Sequence, residues 1–216
     1  MEKQYKLIPM TFFWMFLGLL GTAIVSIYAY QTDLCFDLIK EGYFPIILLV
    51  EFLVVIVFSL LFRKLPPIVV TILYFVYAMI NGLSLSTIFY AFELESIAML
   101  FIASAVLFAG LGYYGYVTQK DLTKWQPLLT GVLIVGLILS LINLFLGNSM
   151  LDIILDWVIL ITFFGVTIYD MNKIKMLAMD ESLDQNKIHI YCAMELYLDF
   201  INIFIRLISI FGKRRD

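Results

Sequence analysis

Apolar and polar positions along this chain alternate on the length scale of a membrane. Seven stretches with few charges, each close to the ~20 residues one helix needs to cross a bilayer, fall at about 7–30, 44–62, 68–92, 96–118, 126–147, 151–171 and 189–212. The polar breaks between them are short, except for 172–188, which carries Lys173, Lys175, Asp180, Glu181, Asp184 and Lys187. That run predicts a sixth helix extended through NKIKMLA and then an exposed turn. Pro45 and Pro127 sit near predicted helix starts, where proline is tolerated, and Pro66-Pro67 separates the second and third stretches. The first stretch is longer than a signal-peptide core of ~7–15 residues and lacks a small-x-small cleavage site, so a retained first span is expected.

The last stretch differs from the other six. His189, Cys192, Glu195, Asp199, Asn202, Arg206 and Ser209 recur every three or four residues. This spacing puts them on one face of a helix, with Leu196, Phe200, Ile203 and Leu207 elsewhere. Ionisable groups in hydrocarbon are costly and mark a pathway, relay or sensor by default. The expected fold is an all-α integral membrane protein, a seven-helix bundle.

Composition supports that class: of 216 residues 63% are hydrophobic and 14% charged, whereas soluble domains carry about a quarter charged residues. The net charge of −3 and the lack of a long basic run give no sign of nucleic-acid binding. Two cysteines, Cys35 in an expected loop and Cys192 in the last helix, are too few for a metal framework and badly placed for a disulfide. Of the 14 Lys and Arg residues, nine (Lys3, Lys6, Arg63, Lys64, Lys120, Lys124, Lys173, Lys175, Lys187) fall on the side of the N-terminus. Four (Lys40, Lys213, Arg214, Arg215) fall on the other side. The positive-inside rule then predicts a cytoplasmic N-terminus. The basic tail runs against the rule, so the last helix either crosses or turns back.

Several residues are candidates for chemistry. Asp170 closes the sixth span, and a helix running on past it would bring it to a depth similar to that of Asp199. Arg63 ends the second span and is able to bind a carboxylate bidentately. Glu51 lies inside the second span, and Glu195 one turn before Asp199; with Asn202 they are ion-pathway candidates, although each carboxyl reads equally well as a protonated core group. Asp152 and Asp156, near the start of the sixth span, suit a helix N-terminus. His189 has no partner histidine and is a poor metal ligand. Gly110-Leu-Gly112-Tyr-Tyr-Gly115 matches a dinucleotide fingerprint, but the motif requires a soluble βαβ unit. Together with Ala103, Ala105 and Ala109, these small residues are better read as helix-packing positions.

ELYLDFINIFIRLISIFG (195–212), FGVTIYDMNKIK (164–175), GYVTQKDLTKWQPLL (115–129) and NGLSLSTIF (81–89) resemble, in order and spacing, the Bax-inhibitor-like family, the transmembrane Bax inhibitor motif proteins. The resemblance covers most of the chain from residue 81, with the first 70 residues similar only in hydropathy. It implies a polar last helix at the centre of six others, and a function similar to that of the bacterial pH-sensitive calcium leak proteins. It places Asp170 and Asp199 on the family's paired aspartates, as pH sensor and transient calcium ligands, and Arg63 near the arginine that latches to them. Glu51 is similar in place to an acidic residue of the second span, whereas Glu195 stands where some relatives carry an uncharged residue. Calcium and protons are then the cargo, no cofactor is expected, and the location is the cell membrane, or an internal membrane in a eukaryote.

Two further readings compete. One is a non-conducting regulator of a membrane protease or channel, with a membrane-protein partner. The other is proton-coupled transport, for which the acidic stripe is equally suitable. An intramembrane aspartyl protease, for which Tyr169-Asp170 matches the first half, requires G-x-G-D at its second aspartate, and Glu195-Leu196-Tyr197-Leu198 precedes Asp199 here. The chain is therefore not expected to be an enzyme.

Overall fold

A computed structural model describes residues 7–62, 64–179 and 185–215. The helices among the described residues are α1 Leu7–Gln31, α2 Leu34–Lys40, α3 Phe44–Leu61, α4 Pro67–Leu85, α5 Ile88–Ala91, α6 Leu94–Val117, α7 Gln126–Leu146, α8 Ser149–Leu177 and α9 Gln185–Phe211, with a 3-10 turn at Thr123–Trp125. Their ends follow from local chemistry. Pro67 opens α4, where a missing N–H costs nothing. Gly147 ends α7 in the left-handed region at φ 62°, which a residue without a Cβ adopts readily. The side chain of Asn148 then caps α8 by accepting from the N–H groups of Met150 at 3.0 Å and Leu151 at 3.2 Å.

The apolar pattern and the helices agree with two adjustments, and one expected extension is present. The third stretch is broken after Leu85, where the Ser86 and Thr87 hydroxyls donate to the carbonyls of Leu83 and Ser84 and compete with the helical ladder. The sixth helix continues through Leu177, as its polar extension predicts. The short α2 was not expected; it lies in the supposed loop and buries Cys35, and seven residues are too few to give a membrane-length signal.

Six of the described helical segments are long and apolar enough to cross a membrane: α1, α3, α4 with α5, α6, α7 with its preceding turn, and α8. The seventh expected span, α9, is 27 residues long but stands outside this group. Its burial is also different. Within α3 only Phe58 is buried, whereas in α9 Cys192–Met194, Leu196, Tyr197, Asp199–Ile201, Ile203, Phe204, Leu207 and Ile208 all are. Glu195, Asn202 and Arg206 are half-buried. Apart from the exposed Ser209, the polar stripe of α9 is buried or half-buried, as are most of its apolar positions.

The chain divides into two compact units. One holds α1–α5, α9 as far as Tyr197, and Arg215. In it α1 and α4 run parallel: the Tyr74 hydroxyl donates to the Trp14 carbonyl at 2.9 Å, and further along, Thr22 reaches the Ala78 carbonyl at 2.9 Å. The other unit holds α6, α7, α8 and α9 from Leu198 onward. Here α6 runs parallel to α8, with Asn172 donating to the Gly115 carbonyl at 3.3 Å and Lys175 to that of Thr118 at 3.2 Å. The rings of Phe101 and Phe108 meet Phe200 edge-to-face at 5.2 and 5.7 Å.

The glycine triplet in α6 is a packing surface over only part of its length. A Cβ on Gly115 would lie 2.3 Å from the Ile168 carbonyl oxygen, and one on Gly112 would make ordinary contact with Met171, but one on Gly110 would meet open space. Ala105, Ala109 and Gly110 are exposed. The face of α6 that packs is Ile97, Leu100, Ser104, Phe108, Gly112 and Gly115.

α9 is one unbroken helix, and its second half belongs to the unit of α6 and α8. Its end meets the start of α6, where the Glu93 N–H donates to the Lys213 carbonyl at 2.9 Å, the Lys213 N–H to Ser96 Oγ at 3.0 Å, and Lys213 Nζ lies 2.7 Å from Glu93 Oε1. The end of α8, from which the chain leads into α9, lies at the opposite end of α6, a helix of roughly 36 Å. Arg215 is held as well: its N–H donates to the Ala91 carbonyl at 3.0 Å and its guanidinium to the Tyr30 hydroxyl at 2.8 Å. Two of the three basic tail residues thus have fixed protein partners.

Gly115→Ala is expected to push α6 off α8 and lower the thermal midpoint in detergent by several degrees, the usual order for an overpacked core at about 1–3 kcal/mol. Gly110→Ala should leave the midpoint unchanged. The Glu93 carboxylate raises the pKa of Lys213 above its ordinary 10.5. The ion pair of this clasp is therefore complete at neutral pH and is lost as pH rises through the lysine's elevated range. Carboxypeptidase digestion of the tail should accelerate over that range in the parent chain, and be fast already at neutral pH in Glu93→Gln.

Candidate functional site

α9 carries the polar positions, and in each unit other helices supply side chains to meet them. In the first unit the meeting point is Tyr197, which is fully buried. Its hydroxyl donates to Asn81 Oδ1 at 2.9 Å and lies 2.6 Å from Thr22 Oγ1. Thr22 is also within reach of the Gly18 and Ala78 carbonyls, at 3.0 and 2.9 Å; having one proton, it donates to one of these oxygens at a time. The Asn81 amide in turn donates to Glu51 Oε1, and the Ser84 hydroxyl to Glu51 Oε2 at 2.8 Å. Four helices thus contribute to one chain of hydrogen bonds, Thr22–Tyr197–Asn81–Glu51, which ends on a half-buried carboxyl in a helix otherwise mostly exposed.

In the second unit, Asp199 on α9 and Asp170 on α8 are both buried, at 2% and 7% exposure. Lys173 Nζ, one turn beyond Asp170, lies 4.0 Å from its Oδ1. Asn202 Nδ2 donates to the Leu198 carbonyl at 2.8 Å, a bond within its own helix. Toward the end of α9, Arg206 Nη1 donates to Asp156 Oδ1 at 2.5 Å, and the Ser209 hydroxyl donates to Asp156 Oδ2.

Most sequence candidates keep a buried or half-buried position, and one requires revision. Glu51 is a hydrogen-bonded carboxyl, as one of its two expected readings has it, and it terminates a network. Asp156 is not a helix-terminus carboxylate. It lies two turns into α8, is nearly buried and is paired across to α9, whereas Asp152 in the first turn accepts from Asn143 Nδ2 at 2.5 Å. Glu195 is half-buried on α9. His189 stacks on Trp14, with centroids 6.0 Å apart and planes at 15°. Arg63 lies outside the described residues. Among the described residues no three His, Cys, Asp or Glu side chains converge as a metal site.

Sequence reasoning missed Thr22, Asn81, Ser84 and Tyr197 as members of a network. Two signals were available: an asparagine in the middle of an apolar span, and a tyrosine in the middle of a helix rather than in the interfacial belt where tyrosines gather.

A family model described as inhibitor of apoptosis-promoting Bax1 matches residues 4–216. The inner membrane protein YbhL of Escherichia coli K12 is 36% identical over 210 residues, covering 94% of this chain and 89% of the relative. An uncharacterised protein of Borreliella burgdorferi is 32% identical over all of this chain and 97% of its own length. Another, RP147 of Rickettsia prowazekii, is 32% identical over 94% of this chain and 87% of the relative.

Tyr197→Phe removes a hydroxyl that connects α1 and α4 through α9, and leaves Asn81 Oδ1 without that donor. A loss of about 1–3 kcal/mol is expected, the usual consequence of leaving a buried polar group unmet. Thermal unfolding in detergent reads it as a lowered midpoint.

Proposed function

This chain belongs to the Bax-inhibitor-like family of membrane proteins, and on that footing we propose that it is a pH-sensitive calcium leak gated by Asp170 and Asp199. The observation that carries this reading is the burial of both carboxyls in one unit, on α8 and α9. Two carboxyls in a low-dielectric site do not readily both ionise, so such a pair titrates as a coupled unit and holds one proton between its members. While the proton is held, the pair ties α8 to α9. When it leaves, repulsion opens the pair, and a cation entering from the same end relieves the charge.

Calcium suits this site because it is a hard cation that takes oxygen ligands. Two carboxylates and a few carbonyls make a weak site, and conduction requires that a bound ion leave again. Glu195 and Asn202, on the same stripe, would line the route, and Glu51 would offer a further carboxylate. Arg63 is the proposed latch. The excess of nine over four basic residues supports a cytoplasmic N-terminus. The held charges of Lys213 and Arg215 support α9 as a seventh crossing despite its basic tail.

One observation favours a second reading, proton-coupled transport. Glu51 is a half-buried carboxyl in an apolar helix, a group able to take up and release a proton, and the Asn81 amide and Ser84 hydroxyl hold it in place. Proton flux measured without calcium separates the two readings.

Asp170→Asn and Asp199→Asn are each expected to abolish the pH dependence of calcium flux into reconstituted vesicles while the protein still folds. A normal pH response in both variants would sink the paired-carboxylate gate.

A further inference from the structure

The function proposed above makes no use of the ion pair near the far end of α9. Asp156 is 9% exposed, and its two carboxylate oxygens are taken by Arg206 and Ser209. Arg206 is half-buried, and its Nε is buried with no hydrogen-bond partner among the described residues. Ser209, one turn on, is exposed.

Such a pair is poor cement. Desolvating two charges largely cancels their attraction, and apolar side chains of similar size pack as well or better. A guanidinium also keeps its charge at every working pH. Charges at this depth call for a role in the passage of other charges.

The position defines that role. Asp156 precedes Asp170 by 14 residues on α8, roughly 21 Å, and Arg206 follows Asp199 by seven residues on α9, roughly 10 Å. Both steps lead to the same end, where α6 and α8 begin and the Lys213–Glu93 clasp lies. The pair is thus a second charged station, well separated from the proposed gate.

We propose that Asp156, Arg206 and Ser209 form the charge-selecting mouth of the ion pathway, in which Asp156 receives a passing cation and Arg206 limits passage by occupying that carboxylate. This assignment rests on the leak reading of the same chain. It gives the two charges opposite effects. Arg206→Gln frees the carboxylate and raises calcium flux severalfold. Asp156→Asn leaves an unpaired positive charge that repels cations, and flux falls by about tenfold. The double variant returns toward the parent rate, and none of the three moves the midpoint of the pH response.

The test has two arms, both on the full chain in vesicles. Calcium flux is compared for the parent, both single variants and the double variant. Opposite signs in the singles support the mouth, whereas equal losses that the double does not relieve reduce the pair to a packing contact and overturn it. The second arm needs no flux: Ser209→Cys is treated with membrane-impermeant cationic and anionic thiol reagents, with the parent chain and its buried Cys35 and Cys192 as background. The ratio of cationic to anionic labelling should rise severalfold with Arg206→Gln, fall severalfold with Asp156→Asn, and stay at the parent value with Arg206→Lys. A ratio that does not move, or a cysteine that reacts with neither reagent, overturns the assignment. If the ratio moves but the parent passes no calcium, the charged mouth stands and the calcium reading fails.

Discussion

A polar side chain on a membrane helix has to be met by protein, because hydrocarbon offers no partner. This requirement, applied to α9, organises both units. In one, Tyr197 is met by Thr22 of α1 and Asn81 of α4, and Asn81 passes the connection to Glu51 of α3. In the other, Arg206 and Ser209 are met by Asp156 of α8. The greasy helices are not interchangeable cylinders. Thr22 of α1, Asn81 of α4 and Asp156 of α8 each stand where a polar side chain of α9 needs an answer, and these directional bonds constrain rotation and depth.

The same requirement explains the difference between α3 and α9. α3 is apolar almost throughout and leaves most of its surface exposed, since surrounding lipid suits it as well as protein would. α9 mixes charges with large apolar residues and is buried on both kinds of face. Apolarity alone therefore ranks α9 last as a spanning helix, while its burial ranks it first as a core element. The two measures answer different questions, and here they diverge because the solvent of α9 is protein.

How much of this was legible in the sequence follows from that divergence. The long helices were readable to within a few residues because membrane thickness sets their length. The extension of α8 was readable because its polar run NKIKMLA keeps good helix formers. The break after Leu85 was not, because it depends on which hydroxyls turn back on their own carbonyls. The polar stripe of α9 was visible at helical spacing, and with it Asp199 and Arg206. What the stripe bonds to was hidden: a threonine at 22 and an asparagine at 81 reveal nothing of each other until α1 and α4 lie parallel. Asp156 was misread for the same reason. Its sequence neighbourhood is a helix start, but its partner is 50 residues away.

The order of synthesis gives α9 one more consequence. The ribosome makes it after the eight other helices, so Thr22, Asn81 and Asp156 enter the bilayer before the side chains of α9 that bond to them exist. Until α9 arrives, the nascent bundle has to shelter these groups against one another, against water or against the insertion machinery. A chain stalled before residue 190 would carry eight helices together with several polar groups whose partners on α9 are missing. In such a half-made state, quality-control proteases that recognise exposed polarity within the membrane would find a natural substrate.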